Sequence, residues 1–139
     1  MSANSDELID AYRSTDYRVL EPNEFVFKIG EFSEALALLF EEKNIASAAF
    51  LTACNPFGRT TEQSVNEKAD QKLRDMLQTD KIRFFNGIGE DPQRLWPAER
   101  SVLALAISLE TAIAIGQMYS QNAIVWIAGD AVPQLKLLR

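Results

Sequence analysis

Thr52, Cys54 and Asn55 place a hydroxyl, a thiol and an amide at the end of an apolar stretch, Ala48 to Phe57. Pro56 stops that stretch, and Arg59 and Thr60 stand where a helix is about to begin. A strand that turns directly into a helix sets unpaired backbone N–H groups and the positive end of the helix dipole at one edge. Such an edge suits a phosphate, a carboxylate or a nucleotide-like ligand, and Arg59 adds a cation. Further along, Gly87 and Gly89 flank a single residue, Trp96 and Glu99 lie in a proline-containing stretch, and Gln121 and Asn122 precede an apolar run.

Each of these residues has a structural role to set beside the functional one. Asn55 bonds a ligand or holds its own turn, as Asn does before Pro. Gln121 binds polar ligand groups or finishes a helix. Trp96 is a stacking lid or the anchor of its loop. Glu99 is an acid or base if desolvated, or else a cap or ion-pair partner. Gly87-Ile88-Gly89 lacks the third glycine of a dinucleotide fingerprint and follows a strand without opening a helix. It reads as a tight turn that needs positive φ.

What the chain lacks narrows the chemistry further. It has no histidine and one cysteine, Cys54. Histidine triads, imidazole bases and the usual His/Cys zinc site are therefore set aside, and no metal site is expected. Acid–base work falls to Asp, Glu, Lys, Tyr or a perturbed thiol. Cys54 has no histidine to activate it and reads as a small core residue. No residue pattern identifies a cofactor. The net charge is −6 and no Lys/Arg cluster is visible, so nucleic acid is not an expected partner.

The elements that must position these residues follow from periodicity. Residues 4–13 form a helix capped by Asn4, with Leu8, Ala11 and Tyr12 on one face. A polar lead-in runs to Asn23. Phe25 to Ile29 is a strand, and Ser33 caps a helix bearing Leu36, Leu39 and Phe40. Ala48 to Ala53 reads as a strand buried on both faces. Thr60 to Gln63 fits a capping box for helix 61–78, whose stripe is Val65, Ala69, Leu73, Met76 and Leu77, with Asp70 placed away from it. Strand 81–85 ends at the 86–89 loop. Glu90 to Arg100 is an ordered loop, 102–107 a strand, and Ser108 caps the next helix. Strand 122–127 and an antiparallel edge strand at 134–138 complete the chain.

This order gives an α/β (or α+β) fold. It is a single-layer mixed sheet of about five to six strands, built from β-α-β units with helices packed on it. The 139 residues suit a single domain, with 1–22 as N-terminal helix and lead-in and 23–139 as the α/β core. Strands 48–53 and 81–85 pair in parallel, so Thr52, Asn55 and the 86–89 loop share one edge. Strand 102–107 decides the rest. Running antiparallel to its predecessor, it brings Trp96, Glu99, Gln121 and Asn122 to Asn55; running parallel, it puts them at the opposite edge. The lack of a crossover helix favours the antiparallel course.

Thr52-Ala53-x-Asn55-Pro56, Gly87-x-Gly89, Trp96-Pro97-x-Glu99 and Gln121-Asn122-Ala123 before an apolar run with Trp126 occur in this order. In that combination the chain resembles a bacterial family of small proteins, domain of unknown function 3293. The family's pattern often has an aromatic where this chain has Cys54. The resemblance implies no activity; it singles out positions in loops and at strand ends, where sites are commonly assembled.

The leading functional expectation is a small anionic or nucleotide-like ligand bound at an edge formed by the 52–60 and 86–100 loops. A protein-interaction module, adaptor or inhibitor, acting through acidic surface is the alternative. A hydrolase or transferase using carboxylates such as Glu99 and Asp91 is the third. The polar acidic start, the single cysteine and the absence of a long apolar run lead to a cytoplasmic assignment with no membrane partner. Oligomeric state is not specified.

Overall fold

The computed structural model describes residues 5–139. In chain order the elements are α1 (Ser5–Ser14), β1 (Asp16–Val19), β2 (Phe25–Phe27), α2 (Glu34–Lys43), β3 (Ala48–Leu51), α3 (Gln63–Thr79), β4 (Phe84–Glu90), β5 (Glu99–Leu105), α4 (Leu109–Met118), β6 (Ala123–Ile127) and β7 (Pro133–Leu137). A 3-10 turn, Pro56–Gly58, separates β3 from α3. Asn4, the expected cap of the first helix, lies outside the described residues.

The fold is mixed α/β, with four helices and one seven-stranded sheet in the order β2-β1-β4-β5-β3-β6-β7. Every neighbouring pair is antiparallel. All four residues of β3 are buried, as a central strand covered on both faces requires. On one face α2 lays Leu36 and Phe40 over Tyr17, Phe27, Phe50 and Val125. On the other, Leu73 and Leu77 of α3 and Ala112 and Ile115 of α4 cover Leu51, Val102, Ala104 and Ile124. Capping sets where two helices start. Ser33 Oγ accepts from Leu36 N–H at 3.2 Å, and Ser108 Oγ accepts from Thr111 N–H at 3.1 Å.

Several expectations are corrected here. The mixed sheet of five to six strands is a seven-stranded antiparallel one. The extra strand, β1, was hidden in the polar lead-in. Tyr17 and Val19 alternate inward while Asp16 and Arg18 face out to Lys28 at 2.7 Å and Glu90 at 2.6 Å. Strands 48–53 and 81–85 do not pair as a β-α-β unit, because β5 lies between them and is antiparallel to both. β3 and β4 therefore point the same way without touching. The capping box at Thr60 and Gln63 is not formed. Glu62 is the N-cap, with no side-chain cap bond, and the Gln63 amide donates to Glu67 instead, at 2.9 Å.

The Gly87–Gly89 loop is strand. Neither glycine has positive φ; Gly30 and Gly58 are the glycines that do. Gly87 is needed for a close approach. A Cβ there would sit 2.7 Å from the Phe50 ring and 3.1 Å from the Arg18 carbonyl oxygen. Asp70, assigned to the polar face of α3, is 1% exposed.

β5 runs antiparallel to β4, and β6 runs antiparallel to β3. The ends of β3 and β4 and the starts of β1, β5 and β6 consequently meet at one edge of the sheet. Among the described residues, no helix is long and apolar enough to cross a membrane.

Candidate functional site

A cavity of about 670 Å³ opens at that edge. Of the residues singled out from sequence, Thr52, Asn55, Thr60, Gly89, Trp96, Glu99, Gln121 and Asn122 line it. Arg59 and Gly87 do not. Gly87 is buried beneath the Phe50 ring, and Arg59 is exposed beyond the left-handed turn at Phe57 and Gly58. Gly58 reaches the wall in its place, where a Cβ would come 3.2 Å from the Asn122 amide nitrogen.

Asn55 is the hub. Its backbone is left-handed, φ 49° and ψ 65°, a region Asn tolerates better than most residues. Its Oδ1 accepts from Thr61 N–H at 3.0 Å and from the Asn66 amide at 2.9 Å. Its own N–H donates to Asn66 Oδ1 at 2.9 Å. These bonds orient the amide so that Nδ2 donates to Glu99 Oε2 at 2.7 Å. The side chain thus holds its own turn and, through Nδ2, reaches the Glu99 carboxylate in the cavity wall. It ties the end of β3, the approach to α3 and the start of β5 together.

Burial pushes the Glu99 carboxyl above the usual carboxylate range, and the Asn55 bond opposes that rise. Tyr12 lines the same cavity. Burial, and then the Glu99 charge, push its phenol up to about 12. The Tyr17 hydroxyl donates to the Tyr12 carbonyl at 2.9 Å and is itself pushed well up, chiefly by burial. The Cys54 thiol is raised too, first by burial and less by the Glu99 and Asp70 charges, with the Thr52 hydrogen bond pulling the other way. A thiol held protonated is a poor nucleophile.

Other polar groups are tied to the frame. The Thr52 hydroxyl donates to the Arg100 carbonyl at 2.8 Å. The Gln121 amide donates to the carbonyls of Cys54 at 3.0 Å and Tyr119 at 3.2 Å, finishing α4 while lining the wall. Asn122 Oδ1 accepts from Arg139 at 3.0 Å. Trp96 is half-buried against the cavity. Asp91 does not line it; both its oxygens cap their own turn, at Gln93 N–H (3.0 Å) and Leu95 N–H (2.8 Å).

Sequence reasoning missed Tyr12, Thr15, Tyr17, Asn66, Arg100 and Ser101 as lining residues. The apolar face of α1, Leu8, Ala11 and Tyr12, was visible, but nothing showed that it turns toward this edge. Arg100 follows Glu99 on β5 and takes the other side. Its Nε lies 3.5 Å from Asp70, while its side chain stays 62% exposed. Asp70 also receives Arg74 Nε at 2.9 Å, and Arg74 continues to Asn86 and to the Ser101 carbonyl. Among the described residues, no three His, Cys, Asp or Glu side chains gather to hold a metal ion.

Residues 51–124 match the family described as Protein of unknown function (DUF3293). No curated protein and no solved structure matches the chain. The match spans more than half of the sequence and contains Thr52, Asn55, Trp96, Glu99 and Gln121, so the chain belongs to the DUF3293 family.

Proposed function

We propose that the protein binds a small nucleotide-like ligand in the cavity at the strand edge. The observation that carries this reading is the convergence of Asn55, Trp96, Glu99 and Gln121, distant in sequence, on one cavity of about 670 Å³. That volume falls in the range of small-molecule sites, and the mixture of apolar wall with a few fixed polar groups is what such sites use. Trp96 and Tyr12 offer flat surface for a ring. The Glu99–Asn55 pair offers the group that orients it. Arg100 also lines the cavity, with its guanidinium held toward Asp70 at 3.5 Å. Binding is favoured over turnover because Cys54 is held as a thiol and Asp91 lies outside the cavity, so the Glu99–Asp91 pair is not assembled.

A thermal-shift screen of nucleotides and phosphorylated metabolites tests this. A ligand present at 100 times its Kd adds about 2.7 kcal/mol, which for a chain of this length raises Tm by roughly 9 °C. The shift should vanish in Ala98→Trp, since Ala98 is exposed and lines the cavity. No shift with any compound, or an equal shift in the blocked variant, refutes the reading.

A further inference from the structure

Building on the cavity reading, we infer that the part of the ligand meeting Glu99 is a planar edge with two neighbouring N–H donors, of the amidine type that guanine carries. Glu99 is a carboxylate of the wall with most of its hydrogen-bonding capacity unused by the fold. Asn55 Oδ1 already accepts from Thr61 N–H and the Asn66 amide, so it offers little to a ligand, and turning the amide over would break both bonds. The Thr52 hydroxyl and the Gln121 amide donate to backbone carbonyls. A carboxylate has about four acceptor sites on its two oxygens. Asn55 fills one of them at 2.7 Å.

A ligand that fills the cavity against Glu99 covers this carboxylate. Covering it without supplying donors leaves a buried charge unpaired, which is strongly unfavourable. Two adjacent N–H groups meet both oxygens in the fork geometry that makes bidentate pairs strong. An edge alternating acceptor and donor, as in adenine, sets a lone pair against an oxygen. A ligand carboxylate sets charge against charge. The cavity is therefore selective by what Glu99 refuses as much as by what it accepts.

The test is calorimetric titration of guanosine, inosine and adenosine 5′-monophosphates, with benzamidine, benzamide and benzoate as bare edges. Wild type, Glu99→Gln and Ala98→Trp are each titrated. Guanosine monophosphate should bind roughly tenfold more tightly than adenosine monophosphate, the discrimination expected of one bidentate pair. Inosine monophosphate, lacking the second donor, should fall between, and benzamidine should outbind benzoate. Glu99→Gln keeps an acceptor for Asn55 and gains a donor, so it should lose or reverse the preference while still binding. Equal affinity of the guanine and adenine nucleotides, abolished in Ala98→Trp, would overturn the inference and leave the cavity reading standing. Guanine preference unchanged in Glu99→Gln would also overturn it. No binding by any probe would sink both.

Discussion

Replacing Asn55 by Ala removes the junction between three segments, and its cost can be worked from the bonds it makes. The side chain accepts from Thr61 N–H and the Asn66 amide and donates to Glu99. A neutral hydrogen bond contributes about 1 kcal/mol and one to a charged group about 1.5–3 kcal/mol. Water can reach the half-buried stumps, so the loss of the side chain should total about 3 kcal/mol. Ala in the left-handed region at φ 49° adds about 1 kcal/mol more. Asn55→Gly removes the same bonds without that strain, so it should be about 1 kcal/mol less destabilised than Asn55→Ala. Urea unfolding followed by circular dichroism reads both differences as midpoint shifts at constant m.

The pH dependence sharpens the test. Burial raises the folded-state pKa of Glu99 above its unfolded value, and the Asn55 bond holds that rise back. A raised carboxyl pKa means that the folded state binds more protons, so stability falls as pH climbs from the unfolded pKa through the folded one. Without Asn55 the fall is steeper. The Asn55→Ala penalty should thus be largest above the titration of Glu99 and shrink toward acid. A penalty below about 0.5 kcal/mol at neutral pH, within the scatter of ordinary surface substitutions, or one that ignores pH, would contradict this role of Asn55.

Glu99→Gln should keep the Asn55 bond and remove the buried charge, making the variant more stable than wild type at pH 8, with the gap closing by pH 4 in urea titrations. Gly87→Ala forces a Cβ to 2.7 Å from the Phe50 ring and should cost about 1–3 kcal/mol in thermal unfolding. Asp70→Asn leaves the 11%-exposed Arg74 without its carboxylate and should cost about 3–5 kcal/mol. Asp70→Asn combined with Arg74→Met should cost less than the sum of the two single changes, as a double-mutant cycle would show.

Much of the framework was legible because its signals are local. Ala48–Leu51 announces a fully buried strand, and Ser33 and Ser108 mark helix starts that the structure keeps. The course of β5 could be argued from the missing crossover helix. It brought Trp96, Glu99, Gln121 and Asn122 to Asn55. What failed was non-local. β1 is short and half polar, and it becomes a strand because its partners β2 and β4 lie on either side. Gly87 and Gly89 look like a turn until Phe50 and Tyr17 are seen across them. Asp70 looks like a surface residue on a helical wheel, and only the Arg74 and Arg100 guanidiniums reveal why it is inside. Arg59 sits beside the right edge in sequence, but the left-handed turn before it directs it elsewhere. Arg100, which does line the cavity, comes from a strand whose start was read as loop.

The most direct measurement is a ¹⁵N-correlated NMR titration with guanosine monophosphate, reading the two indole N–H signals of the chain, Trp96 and Trp126. Trp96 lines the cavity, whereas Trp126 lies on β6 against the core beneath α3 and α4. A ligand in the cavity gives saturable shifts of the Trp96 indole and of the Asn55 and Gln121 side-chain amides, with Trp126 unmoved. Shifts that bypass Trp96 and gather elsewhere on the protein would contradict binding there.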